Sequence, residues 1–137
     1  MKISNDKFKI DDKSVLNYYE IITDKPKLLL LHAQGTNSLS FMSVVDKLSK
    51  YFHIYLVDYY GHGKSSFNRE KYNLIDIGND IIKFIEEVIK DNVSVLGHSS
   101  GGLIASFIAS NCELCSRLIL EDPPFFASVG DRRFNTY

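Results

Sequence analysis

Residues Asn92 to Ala109 read N-V-S-V-L-G-H-S-S-G-G-L-I-A-S-F-I-A. Val93 to Leu96 is a short apolar run of strand length, and Leu103, Ile104, Phe107 and Ile108 recur at helical spacing. Between them, Gly97-His98-Ser99-Ser100-Gly101 forms G-x-S-x-G, a serine at the apex of a strand-to-helix turn. The spacing has a physical reason. The backbone at Ser99 takes a strained conformation that pushes Oγ out of the sheet. Gly97 and Gly101 lack a Cβ, so strand and helix approach closely on either side. The helix starts at the serine, and its unpaired N–H groups and positive dipole end face any developing oxyanion.

The chain around this stretch alternates. Two short strands, near Phe8 to Ile10 and Leu16 to Ile22, are joined by the turn Asp11-Asp12-Lys13. Lys25-Pro26-Lys27 interrupts them. Leu28 to Leu31 is a continuous apolar run suited to a strand covered on both faces. A polar loop, His32 to Asn37, follows it. Ser38 is expected to cap a helix to about Lys50, with Phe41, Val44, Val45 and Leu48 on one stripe. His53 to Asp58 reads as a strand, and Leu74 to Lys90 as one long amphipathic helix with Ile77, Ile81, Phe84, Ile85, Val88 and Ile89 inward. Arg117 to Glu121 is a last strand, closed by Asp122-Pro123-Pro124, and Phe125 to Tyr137 has no clear period. The order β-β-β-α-β-α-β-α-β predicts an α/β fold, a mostly parallel sheet flanked by helices.

Composition bounds the function. The 137 residues are 45% hydrophobic and 24% charged, with a formal net charge of −1, which describes a single globular domain. A charge so near zero gives no basic footprint for nucleic acid. No apolar run reaches membrane-span length, and the N-terminal residues lack the apolar core of a signal peptide, so a cytoplasmic location and no membrane partner are expected. Cys112 and Cys115 form C-E-L-C near the end of the helix after this turn, the elbow. A redox pair belongs at a helix N-terminus, and no second pair completes a zinc site. No metal and no organic cofactor are implied.

Three further stretches match one known family in its own order. Leu28 to Gly35, L-L-L-L-H-A-Q-G, resembles the His-Gly oxyanion loop after the third strand of the α/β-hydrolases, with Ala33 in place of the usual glycine. Asp58 to Ser65, D-Y-Y-G-H-G-K-S, resembles their D-x-x-G-x-G-x-S loop, and Leu118 to Pro123 resembles the sixth strand and its exit toward a cap domain. The resemblance covers about residues 8 to 126, the N-terminal half of that fold. It implies Ser99 as nucleophile and the backbone N–H groups of Ser100 and Gln34 as the oxyanion hole. It implies acyl transfer to water from a small-molecule ester, thioester, lactone or amide through an acyl-serine. A serine at the elbow argues against the dehalogenase and epoxide-hydrolase branches, which resemble this fold but carry an aspartate there. His32 and Asp58 are expected to hold loops, and His98 to face away from Oγ. Tyr59, Tyr60 and Phe41 are candidates for lining the pocket.

In that family the triad runs Ser, then Asp or Glu, then His. The histidines here are His32, His53, His62 and His98, and none follows Ser99. Asp122 is the candidate acid, since some members carry it after the sixth strand; otherwise it is a strand-end carboxylate that fixes the turn into Pro123. The expectation is therefore one C-terminally incomplete hydrolase domain, inactive or weak, with residues 127 to 137 beginning a cap segment. Alternatively a second polypeptide supplies the rest. The sixth strand would leave an open apolar edge at Leu118 to Leu120, with Phe125 and Phe126 uncovered, and self-association through it is expected.

Two rival readings differ in class. Gly61-His62-Gly63-Lys64-Ser65 resembles the end of a P-loop, but the Walker spacing requires glycine where Asp58 stands, and a carboxylate there repels phosphate. A dinucleotide fingerprint fails at Ser66, where a third glycine is required. The second rival is a non-catalytic ligand-binding protein that keeps the fold and the pocket.

Overall fold

The chain opens with a hairpin. β1 (Ile3–Lys9) and β2 (Val15–Ile21) pair antiparallel, with Ile3 opposite Ile21. These and all following details come from a computed structural model, which describes residues 1–125. β1 starts five residues before the expected Phe8, because its partner strand fixes its length while most of its own side chains face solvent.

β3 (Lys27–Leu31), β4 (His53–Val57), β5 (Val93–His98) and β6 (Cys115–Glu121) complete one sheet in the order β1-β2-β4-β3-β5-β6. β4, β3, β5 and β6 run parallel; β2 is antiparallel to both of its neighbours. A parallel sheet needs crossovers, and helices supply them. A 3₁₀ turn (Ser38–Phe41) leads into α1 (Met42–Leu48), α2 spans Leu74–Phe84, and α3 spans Ser100–Asn111.

The leucine run of β3 divides between the two faces. Leu28 and Leu30 pack with Ile54, Leu56, Phe41 and Val45 on the α1 side. Leu29 and Leu31 pack with Tyr55, Val57, Val95, Ile81, Phe84 and Ile104 on the side of α2 and α3. All four leucines are buried, which explains why no alternation is visible in the sequence. β6 has β5 on one side and no strand on the other among the described residues, and Leu118 and Ile119 are exposed.

Two helix expectations are corrected. Asn37, not Ser38, is the cap: its side chain accepts from the Leu39 N–H, and Ser38 is the first helical residue. The expected single helix to Lys90 is α2 followed by a wider π turn (Ile85–Ile89), in which the Lys90 N–H reaches back to the Ile85 carbonyl at 2.8 Å. Ile85 and Ile89 both stay in the core, and Lys90 ends the turn with φ of 55°. The start of α2 is set by Asn73, whose side chain accepts from the Asp76 N–H at 2.8 Å. Cys115 opens β6 instead of closing α3, and both cysteines are free. Among the described residues no helix is long and apolar enough to cross a membrane. The expected cap segment, and Phe126, lie outside the described residues.

Candidate active site

β5 delivers Ser99 to the carboxyl end of the parallel strands, where α3 begins. The residue has φ of 52° and ψ of −120°, a region that side-chain-bearing residues rarely adopt. Its N–H donates to the Glu121 carbonyl and its carbonyl accepts from the Gly102 N–H, both at 2.8 Å. The turn is as tight as its sequence requires. A Cβ on Gly97 would strike the Gly101 carbonyl group, and one on Gly101 would strike the carbonyl oxygens of Leu31 and His32. β3, β5 and α3 therefore meet backbone to backbone beneath Ser99.

The loop after β3 comes up beside the elbow. Thr36 closes it, with its N–H and its hydroxyl both donating to the Ala33 carbonyl, at 3.2 and 2.7 Å. The Gln34 N–H donates to Ser100 Oγ at 2.5 Å, so two residues 66 apart in sequence meet immediately after Ser99. Ser100 is the first residue of α3, and its own N–H belongs to the first turn, where a helix provides no internal partner.

Asp58, just past β4, ties three segments together. Oδ1 accepts from the Ser38 N–H at 2.8 Å; Oδ2 accepts from Asn17 Nδ2 and from the Lys64 N–H, both at 3.0 Å. Burial pushes its carboxyl up, but the donors from Ser38, Lys64 and Asn17 together hold it below the ordinary value. His32 is fully buried, donates from Nδ1 to the Ala33 carbonyl at 2.9 Å and stacks on Tyr59 at 4.0 Å. Burial first of all, helped by the nearby His62, takes its pKa down to about 4; the Ala33 carbonyl and Asp58 oppose the shift. Both residues hold loops, as expected of them.

A cleft of about 460 Å³ opens beside the elbow, lined by Gln34 and Ser100 at its polar end and by Tyr72, Leu74, Ile77, Leu103 and Ile104 on its apolar walls. Tyr59 and His62 complete it. Ser99 itself is half-buried and does not line this cleft.

The sequence model of the alpha/beta hydrolase fold matches residues 26–134 of the chain. The chain belongs to the alpha/beta hydrolase fold family. Among curated relatives, it is 33% identical over 108 residues to a pimeloyl-[acyl-carrier protein] methyl ester esterase of Vibrio campbellii, covering 75% of this chain and 39% of that protein. It is 31% identical over 113 residues to a human serine hydrolase-like protein, covering 80% of this chain and 56% of that one. A hydrolase structure from Pseudomonas aeruginosa superposes with a TM-score of 0.81 at 25% identity, over 87% of this chain and 46% of that one. The chain thus spans 39% and 56% of the length of these two curated relatives.

Within this hydrolase fold the remaining candidates fall as follows. Asp122 lies just past β6, exposed, with φ of 50°; its carboxylate makes no hydrogen bond among the described residues. His98 turns toward β6, its Nδ1 3.4 Å from Glu121 Oε2 but without hydrogen-bond geometry. No described imidazole hydrogen-bonds to Ser99. Of the three proposed aromatic liners only Tyr59 reaches the cleft. Phe41 is in the core on the α1 face, and Tyr60 is buried beneath the Arg69 guanidinium at 3.8 Å. Sequence reasoning missed the apolar wall from α2 and α3, since Ile77 and Ile104 read as core. It also missed the Ser100 side chain; the one available signal was a second hydroxyl directly after the elbow serine.

Proposed function

We propose that this chain carries the nucleophile and oxyanion hole of a serine hydrolase that cleaves an ester, thioester, lactone or amide. Ser99 Oγ attacks the acyl carbon and the leaving group departs; water then releases the acyl group from Ser99. The amides of Ser100 and Gln34 receive the oxyanion, each contributing on the order of 3 kcal/mol. The proton acceptor is assigned to no residue of this chain, and Asp122 is retained as the candidate acid. The substrate is a small molecule whose apolar part lies against Leu74, Ile77, Leu103 and Ile104. The name of the Vibrio campbellii relative, a methyl ester esterase, supports an ester.

The observation that carries this reading is the positive φ of Ser99 at the start of α3, backed by two glycine positions where a Cβ would meet backbone. Strain of that kind persists where the surroundings enforce it, and it gathers at functional sites. The test is covalent labelling by a fluorophosphonate, read by peptide mass spectrometry. Label on Ser99, lost in Ser99→Ala, is the expected result. A second reading, a ligand-binding member without turnover, is favoured by the absence of a described imidazole on Ser99. It predicts no label at any pH.

A further inference from the structure

The amide that this reading reserves for the oxyanion is already engaged. The Gln34 N–H donates to Ser100 Oγ at 2.5 Å, while the rest of Gln34 is exposed. A second hydroxyl stands next to this contact. Tyr59 is 2% exposed and lines the same cleft, yet its phenolic oxygen is buried with no hydrogen-bond partner. Burial raises the phenol's pKa and the Ser100 hydroxyl lowers it, which places the two hydroxyls within reach of one another. The Tyr59 ring is held in place, stacked on His32 at 4.0 Å and packed against His62 at 4.4 Å.

We infer that Ser100 is a positioning residue: its Oγ covers the Gln34 amide in the resting site and turns onto the Tyr59 hydroxyl when a substrate carbonyl oxygen takes its place. The inference rests on the assignment of Gln34 to the oxyanion hole made above. The physical logic is one of partners. In the resting arrangement the amide is satisfied and the phenol is orphaned, and a buried orphan is unfavourable. Rotation about the Ser100 Cα–Cβ bond moves the hydroxyl to the phenol and exposes the amide. That state is satisfied in full only when an acceptor arrives for the amide. A serine has three staggered rotamers, and such hops are fast compared with turnover. Only one side-chain torsion changes; the elbow backbone, fixed by Glu121 and Gly102, stays where it is. The acceptor that opens the contact is a carbonyl oxygen gaining negative charge, which outcompetes a neutral hydroxyl for the same N–H.

Two measurements on the whole chain test this. The first is hydrogen exchange of the Gln34 amide by NMR, which reads the contact without any chemistry at Ser99. Wild type is expected to protect this amide, Ser100→Ala to exchange it at least tenfold faster, and Tyr59→Phe to leave it protected. Equal exchange in wild type and Ser100→Ala overturns the inference. The second is the rate of fluorophosphonate labelling at Ser99. Ser100→Ala is expected to label several-fold faster, because the amide is already free. Tyr59→Phe is expected to label several-fold slower, and to have no effect in the Ser100→Ala background. That vanishing effect is the signature of a receiving partner, because a purely structural role for Tyr59 slows both backgrounds equally and overturns the inference. Absence of label in every variant, with the exchange change intact, sinks Ser99 as nucleophile and the substrate half of this inference, and leaves the hydroxyl–amide contact established.

Discussion

The Ser99 N–H donates to the Glu121 carbonyl oxygen at 2.8 Å, which fastens the apex of the elbow to the last residue of β6. The Ser99 carbonyl is held at 2.8 Å by the Gly102 N–H. Both peptide groups of one residue are therefore fixed from outside, by a neighbouring strand and by the helix that follows. This is how a φ of 52° is maintained on a residue with a Cβ.

Ser99→Gly is expected to raise stability by about 1 kcal/mol. Strain on a residue held in such a region costs ~1–3 kcal/mol. Glycine removes it but loses roughly 0.5–1 kcal/mol more backbone entropy on folding. Ser99→Ala keeps its Cβ and gains nothing. Urea midpoints at unchanged slope measure the difference. A glycine variant no more stable than the alanine variant means that the backbone there is not strained.

Gly97→Ala and Gly101→Ala are each expected to lose about 2–3 kcal/mol, the upper part of the range for overpacked positions. The obstacle is backbone in both cases, the Gly101 carbonyl for one and the carbonyls of Leu31 and His32 for the other, so no side chain can yield. Gly102→Ala is the control. Its Cβ meets Pro123 Cβ at 3.0 Å and no backbone atom closer than 3.4 Å, a milder contact than at the other two positions, and alanine gains roughly 1 kcal/mol of helix propensity. Near-neutral behaviour at Gly97 or Gly101 contradicts the close approach.

Much of this was legible in the residues. Leu28 to Leu31 announced a strand covered on both faces, and the packing of Leu28 and Leu30 away from Leu29 and Leu31 bears that out. The elbow was readable because glycine spacing and a change of period from strand to helix fall at one point. The start of β1 was not: Ser4 to Lys7 is polar and mostly solvent-facing, and only pairing with Asn17 to Glu20 defines it. The π turn was invisible because Ile85, Val88 and Ile89 fit a helical stripe either way. The Gln34–Ser100 contact depends on one rotamer and a separation of 66 residues, which no local pattern encodes.

Asp58→Asn is expected to cost about 3 kcal/mol at pH 7. The carboxylate accepts from Ser38, Asn17 and Lys64, and an amide turns one acceptor into a donor facing donors. The folded pKa of Asp58 is depressed, so its contribution is present above the unfolded value near ~4 and is lost as pH falls through the folded value. The gap between wild type and variant should therefore be widest at pH 7 and narrow below about pH 4. Denaturation curves at pH 7 and pH 3 check it; a constant gap would show that the charge on Asp58 is not what the variant removes.

His32 sets a separate and higher pH window. Its folded pKa is about 4 against 6.5 for a free imidazole, chiefly because it is buried without exposure beneath Tyr59. Above 6.5 neither state carries the proton and the native state has its full stability. Between 6.5 and about 4 the unfolded chain takes up a proton that the folded chain refuses, so stability falls with pH. Below about 4 both states are protonated and His32 adds no further slope. The shift corresponds to a loss on the order of 3 kcal/mol across that window. His32→Asn keeps a donor for the Ala33 carbonyl but cannot titrate, so it should start less stable and show a flatter profile from pH 7 to pH 4. An NMR titration of the imidazole is the direct check. A midpoint near the free value would mean that water or a proton partner reaches Nε2, which the structure leaves buried with no partner.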